Sequence, residues 1–245
     1  MPEDVPNGTG TLTHPNSLKK DPPPGVGRKK SKVLIVDDHP VIRETLAMLV
    51  NLEPDLVACG GAEDCKGAKA AIQSLKPDLV IVDLTLKFGH GLDLIKDIHQ
   101  SDPGLPGLVF SMHEENLYAE RALRAGAKGY VTKQAPIQVI LTAIRTVLRG
   151  EVYLSPTLSA QVLKAFCEGK SATPGLGMEQ LTDRELQVLE FIGLGQTPTA
   201  IASNLHLHIK TVETYQARIK QKLNLDSADK VKRFAELWLD KGDEG

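Results

Sequence analysis

Cysteine is scarce in this chain: Cys59, Cys65 and Cys167 stand alone in 245 residues, and no two of them form a CxxC pair. That excludes a disulfide framework and a cysteine-built zinc site, and it suits a reducing compartment. Long apolar runs are missing too. No stretch approaches the ~20 residues that span a bilayer, and the N-terminus has no apolar h-region, so a cytoplasmic protein with no membrane partner is expected. Nor is there a large charge of one sign, the formal net charge being −2. A nucleic-acid partner would therefore require positive charge concentrated on a single element. Hydrophobic residues at 41% and charged residues at 24% give most of the chain a globular composition.

Residues 1–31 carry Pro, Gly, Thr, Asn and Lys with few large apolar side chains and read as a disordered tail. Its GVGRKKS is no phosphate loop, because Gly25 and Gly27 are separated by one residue where that motif needs four. Across residues 32–150 short β-rich runs (VLIV, LVAC, LVIV, LVF, YVT) alternate with amphipathic helical stretches. Such alternation predicts βαβ crossovers, a parallel sheet and helices on both faces. Residues 151–178, with Pro156, Gly169, Pro174, Gly175 and Gly177, read as a linker in which LSAQVLKAF suggests a short helix. Residues 179–240 are all helical: Thr182 and Glu185 form a capping box, Gly195 stops that helix, and Thr197 with Pro198 opens the next.

The run LVIVDL ends a buried strand on the carboxylate of Asp83. An unpaired carboxylate is costly in an apolar interior, so Asp83 either caps a turn or faces a site. In open α/β sheets ligands bind beyond the carboxyl ends of the strands. There the chain puts Asp37 and Asp38 after the first strand, Asp83 after the third, Ser111 after the fourth and Lys133 after the fifth. Three carboxylates supply the hard oxygens that Mg²⁺ prefers, and a cation relieves their repulsion. Asp83 then has the setting of a nucleophile towards a phosphoryl group, with Ser111 and Lys133 to meet the transferred charge. His39, beside the pair, is left out of the metal site because Mg²⁺ favours oxygen.

The series VDD, LVIVDL, VFSM and GYVTK, closed by a final helix, resembles the receiver domain of bacterial two-component response regulators. That resemblance implies a flavodoxin-like, five-stranded, doubly wound parallel sheet. It implies that Asp83 accepts phosphate from a histidine kinase, that Asp37, Asp38 and Asp83 hold Mg²⁺, that Lys133 pairs with the phosphate, and that Ser111 and Tyr130 form the switch. Where many receivers have a proline after the phosphoacceptor, this chain has Leu86, Lys87 and Phe88, so Lys87 brings a positive charge to that loop.

Residues 181–223 read as helix, helix, tight turn, helix. On the last of these Val212, Tyr215, Ile219 and Leu223 recur at helical spacing as a buried stripe. Four basic side chains against one acidic occupy residues 210–222. Lys210, Arg218, Lys220 and Lys222 suit DNA phosphates, while Thr211, Glu213, Thr214 and Ala217 lie on or beside the face that would meet base edges. The stretch LTDRELQVLEFIGLGQ with AIASNL, KTVETY and IKQKL is similar to the four-helix DNA-binding domain of NarL/LuxR-type regulators. The resemblance implies promoter DNA as a partner and homodimerisation through the last helix, at Val231, Phe234, Ala235 and Trp238. The same four residues suit a plain core equally well. Tyr215, Gln216 and His208 depart from the family's usual residues.

These readings converge on a non-enzymatic transcriptional response regulator that accepts a phosphoryl group on Asp83 and controls DNA binding. Two alternatives remain open at this level. One is an aspartyl-phosphate phosphatase, disfavoured because LTL follows Asp83 where a DxD pattern is required. The other is a receiver-containing adaptor whose helical domain has weakened DNA affinity.

Overall fold

The computed structural model describes residues 29–113, 115–160 and 180–240. The N-terminal tail up to residue 28 and most of the linker lie outside the described residues.

The first domain alternates strand and helix: β1 (Ser31–Val36), α1 (Pro40–Leu52), β2 (Leu56–Ala62), α2 (Cys65–Leu75), β3 (Leu79–Val82), α3 (Gly91–Ser101), β4 (Gly107–Ser111), α4 (Glu115–Ala125), β5 (Tyr130–Thr132) and α5 (Ile137–Leu148). All strand pairs are parallel and their order is β2-β1-β3-β4-β5. The continuous apolar runs of β1 and β3 make them inner strands, since an inner strand of a covered parallel sheet is buried on both faces. Side chains alternate across the sheet. Leu34, Val36, Val80, Val82 and Val109 pack with Leu92, Ile95, Ile98 and Tyr118 on one face. Val33, Ile35, Ile81, Leu108 and Val131 pack with Leu46, Val50, Ile140 and Ile144 on the other. The chain reverses direction across the sheet between β1 and β3, the crevice where doubly wound folds bind ligands. Val36 sits in register with Val82, and Asp83 N–H donates to the Val36 carbonyl at 2.8 Å. Asp37 and Asp83 thus leave the sheet side by side.

Residues 156–160 are helical, where the linker was expected to contain a short helix. The second domain comprises α6 (Asp183–Gly193), α7 (Pro198–Asn204), α8 (Ile209–Lys222) and α9 (Ala228–Asp240). The capping box at α6 is present: Thr182 Oγ1 accepts from Glu185 N–H and the Glu185 side chain accepts from Thr182 N–H. Thr197 caps α7 through the N–H of Ala200, with Pro198 in the first turn. His208 stands at the N-cap of α8 and makes no side-chain cap bond. Of the expected stripe on α8, Val212 and Ile219 are fully buried while Tyr215 and Leu223 are half-buried.

The residues expected at a dimer interface pack within their own domain. Val231, Ala235 and Trp238 are buried, at 4%, 0% and 9% exposure, and Phe234 packs half-buried against the same apolar cluster. Helix α9 lies so close to α6 that a side chain at Gly193 would meet the Ala235 carbonyl at 2.8 Å. Val231, Ala235 and Trp238 form the inner face of the domain's own core, with Phe234 half-buried at its edge. Helical spacing shows which residues share a face, but not what covers it. Leu237 of α9, off that stripe, is exposed.

Candidate functional site

The expected pocket forms at the carboxyl edge of the sheet. Lys133 Nζ lies 2.5 Å from Asp37 Oδ2 and 2.7 Å from Asp83 Oδ2, and all three side chains are almost fully buried. Asp37 Oδ1 accepts the backbone N–H of His39 at 2.9 Å, so both of its oxygens are committed. Burial, and then the neighbouring Asp83, push the Asp37 carboxyl above its ordinary range against the pull of Lys133. Burial by itself lowers the Lys133 ammonium, but Asp83 and Asp37 outweigh it and the net shift is upward. The lysine is therefore held charged as the internal counter-ion of two carboxylates.

Three buried oxygens at the carboxyl edge of the sheet have no hydrogen-bond partner: Asp38 Oδ1, Asp83 Oδ1 and Ser111 Oγ. Buried polar groups normally find partners, so orphaned oxygens at the ends of three neighbouring strands mark a place shaped for something else. Ligand atoms of Asp37, Asp38, His39 and Asp83 lie within 4.8 Å of one another. A hard dication fits this donor set, because two of the three unpartnered oxygens are carboxylate oxygens. Asp38 and Asp83 offer the open oxygens, and Asp37 contributes mainly charge.

Sequence reasoning did not single out three residues that shape this site. Gly91 opens α3, and a β-carbon there would fall 2.0 Å from the Asp83 carbonyl, so only glycine lets the helix start beneath the Asp83 loop. His90 is 1% exposed and accepts the N–H of Leu92 on Nδ1 at 3.0 Å. Burial, with Arg184 nearby, lowers its pKa to about 3, so the ring stays neutral. His113, two residues after Ser111, lies 3.1 Å through Nε2 from Thr85 Oγ1, and its carbonyl accepts the Tyr130 hydroxyl at 2.8 Å. Tyr130 is fully buried, its ring already turned inward. Lys87, which brings a positive charge to the Asp83 loop, is paired with Glu63 at 3.1 Å.

The second domain is docked against this edge. Glu190 of α6 lies 2.7 Å from His113 Nδ1 and accepts the Tyr118 hydroxyl at 2.8 Å. Burial and the adjacent Glu190 hold the Tyr118 phenol well above its usual range, so it remains a donor. Asp183 bridges Lys96 at 3.1 Å and Arg121 at 2.8 Å, and Arg184 donates to the Gly89 carbonyl. His206, in the turn between α7 and α8, places Nε2 at 2.7 Å from Asp38 Oδ2.

Two family models match the chain: "Response regulator receiver domain" over residues 33–145 and "Bacterial regulatory proteins, luxR family" over residues 179–235. The oxygen regulatory protein NreC of Staphylococcus carnosus is 33% identical over 208 residues, covering 83% of this chain and 96% of that protein. The chain belongs to the LuxR-family response regulators. This family consists of DNA-binding transcriptional regulators rather than enzymes, which removes the phosphatase alternative. A LuxR-family two-component response regulator from Aurantimonas sp. SI85-9A1 superposes with a TM-score of 0.53 at 31% identity, over 57% of this chain and 99% of that one. RcsB of Salmonella enterica serovar Typhimurium, solved on a promoter with a phosphomimetic, shares the fold with a TM-score of 0.57 at 24% identity, over 84% of this chain and 98% of that one.

In this response regulator the expected DNA-facing residues of α8 divide in two. Lys210, Glu213, Thr214, Ala217 and Arg218 are exposed although the two domains are packed together, and Thr211 is half-buried. The Thr214 hydroxyl donates back to the Lys210 carbonyl at 2.8 Å. Lys222 is different: its ammonium pairs with Glu185 at 2.7 Å, where the carboxylate is almost completely buried. Lys222 serves the interior of its own domain rather than the exposed basic face. Among the described residues no helix is long and apolar enough to cross a membrane.

Proposed function

We propose that this response regulator accepts a phosphoryl group on Asp83 from the phosphohistidine of a histidine kinase and thereby adjusts the binding of α8 to promoter DNA in the cytoplasm. The observation that carries this reading is the pocket itself. Lys133 bridges Asp37 and Asp83 while Asp38 Oδ1, Asp83 Oδ1 and Ser111 Oγ stand without a hydrogen bond at the same sheet edge.

Asp37, Asp38 and Asp83 would hold Mg²⁺, which when bound supplies positive charge to offset the phosphoryl oxygens. The Asp83 carboxylate forms the new P–O bond as the donor's P–N bond breaks, and the departing imidazole keeps the bonding pair and takes up a proton. Lys133 is already placed to exchange one anionic partner for another, and Ser111 has a hydroxyl free to donate. Moving Ser111 pulls on His113 two residues away, whose carbonyl carries Tyr130 and whose ring meets Glu190 of the DNA-binding domain. NreC is named as an oxygen regulatory protein, and RcsB is described bound to promoters; both support a transcriptional role here. On DNA, Lys210 and Arg218 take phosphates while Glu213, Thr214 and Ala217 face base edges. A homodimer on paired half-sites fits the family, with a contact surface other than the buried stripe of α9.

Incubation with acetyl phosphate and Mg²⁺ should label the protein at one position, shift its DNA affinity, and fail on both counts in Asp83→Asn. Equal labelling of that variant, or a DNA affinity indifferent to the phosphodonor, would sink the proposal.

A further inference from the structure

Resting on the acid-pocket reading above, the geometry points to a direct rivalry at Asp38. We propose that His206 of the DNA-binding domain and the divalent cation compete for the Asp38 carboxylate, so that loading the pocket and docking the turn before α8 weaken each other.

Asp38 is the one acid of the three that does not pair with Lys133. Its side chain is 5% exposed, and its two oxygens face two imidazoles. His39 Nδ1 lies 2.7 Å from Oδ1 but out of line for a hydrogen bond, which leaves that oxygen unpartnered. His206 Nε2 makes a genuine hydrogen bond to Oδ2 at 2.7 Å. The His39 side chain is 64% exposed and belongs to the loop that carries Asp38, so it can swing away without disturbing any other element. His206 sits in the turn on which α8 begins, with its backbone at φ 52° and its side chain 39% exposed, so its bond to Asp38 ties that turn to the pocket rim.

Mg²⁺ sheds water reluctantly and keeps several waters when bound to one or two carboxylates, so it needs both the charge of Asp38 and open space at the rim. The His206 ring occupies that rim and draws charge out of the carboxylate it bonds. A hydrated cation and a docked turn thus make incompatible claims on one group. Linkage requires the effect to be reciprocal: whatever factor the docked turn removes from Mg²⁺ affinity, bound Mg²⁺ removes from docking. The acid pocket thereby reaches the DNA-binding domain by a second route, separate from the Ser111–His113–Glu190 connection, and the cation uses it before any phosphoryl group arrives.

The test is calorimetric titration of Mg²⁺ into the full-length protein without a phosphodonor. His206→Asn keeps a residue at ease with positive φ but is too short to reach Asp38. His206→Gln retains an N–H at longer reach. Mg²⁺ should bind His206→Asn more tightly than wild type, by a factor within the roughly 5- to 150-fold range of ordinary coupling, and His206→Gln close to wild type. In parallel, the ¹⁵N imidazole signal of His206 in the wild type should move to a solvent-exposed position as Mg²⁺ saturates. Equal or weaker binding by His206→Asn, or an imidazole signal indifferent to Mg²⁺, overturns the rivalry while leaving the pocket's cation affinity intact. No Mg²⁺ uptake by any of the three overturns the acid-pocket assignment and the rivalry together.

Discussion

His90 shows how much one side chain can hide. Nothing in the string FGHG distinguishes it from a loop histidine, yet it is sealed under α3 with its Nδ1 capping the helix and its Nε2 unpartnered. Arg184, Asp183, His113 and Lys96 face it from neighbouring elements, and burial dominates them, lowering its pKa to about 3. Between that value and the ordinary 6.5 the unfolded chain binds a proton that the folded chain refuses, so stability is fully present above 6.5 and is lost as the pH falls. Between pH 7 and pH 5, wild type should lose roughly 2 kcal/mol more than His90→Asn, whose amide oxygen can still cap α3. Urea midpoints at the two pH values measure this, and parallel loss in both proteins would refute the assignment. By contrast the five residues of the acid pocket were legible, because each follows an apolar run and strand ends in a parallel sheet share one edge.

Within α8 the structure separates side chains that the sequence left equivalent. Arg218 and Lys222 are both basic residues of the same helix, but Arg218 is exposed while Lys222 turns to Glu185. Burial raises the Glu185 carboxyl, and the bonds from Lys222 and Thr182 reverse that, leaving it below the usual range. Arg218→Ala should therefore weaken DNA binding and reduce the slope of log affinity against log salt by about 1. Lys222→Ala should leave that slope unchanged and instead lower the melting temperature of the domain, as removing the partner of a buried carboxylate does. Salt titrations of the two variants distinguish the roles, and equal slopes would mean that both reach phosphate. Helix α9 teaches the same lesson: Val231, Ala235 and Trp238 repeat at helical spacing, but only the packing of α9 on α6 decides that the stripe faces inward.

At the scale of the whole molecule the two domains are joined by polar contacts that converge on the switch region. Glu190 is 6% exposed and accepts from Tyr118 while meeting His113, so its carboxylate belongs to the first domain's loop as much as to α6. Glu190→Leu leaves the Tyr118 hydroxyl buried without its partner, at a cost of about 1–3 kcal/mol, and should favour separated domains. Small-angle scattering should then show a larger radius of gyration in the unphosphorylated variant; an unchanged radius would mean that the remaining contacts hold the domains together. The exposed face of α8 in the docked arrangement also implies that docking does not work by burying the side chains proposed to meet DNA bases. The sequence alone determined the two-domain architecture, the strand-end acids and lysine, and the caps of α6 and α7, because these follow from periodicity, local capping chemistry and the rule that parallel strands end together. Only the tertiary structure decided that Lys222 pairs with the buried Glu185, that α9 packs its apolar stripe on its own core, and that His206 meets Asp38. Each of these depends on which surfaces meet across long sequence separations, and no local pattern of residues encodes that.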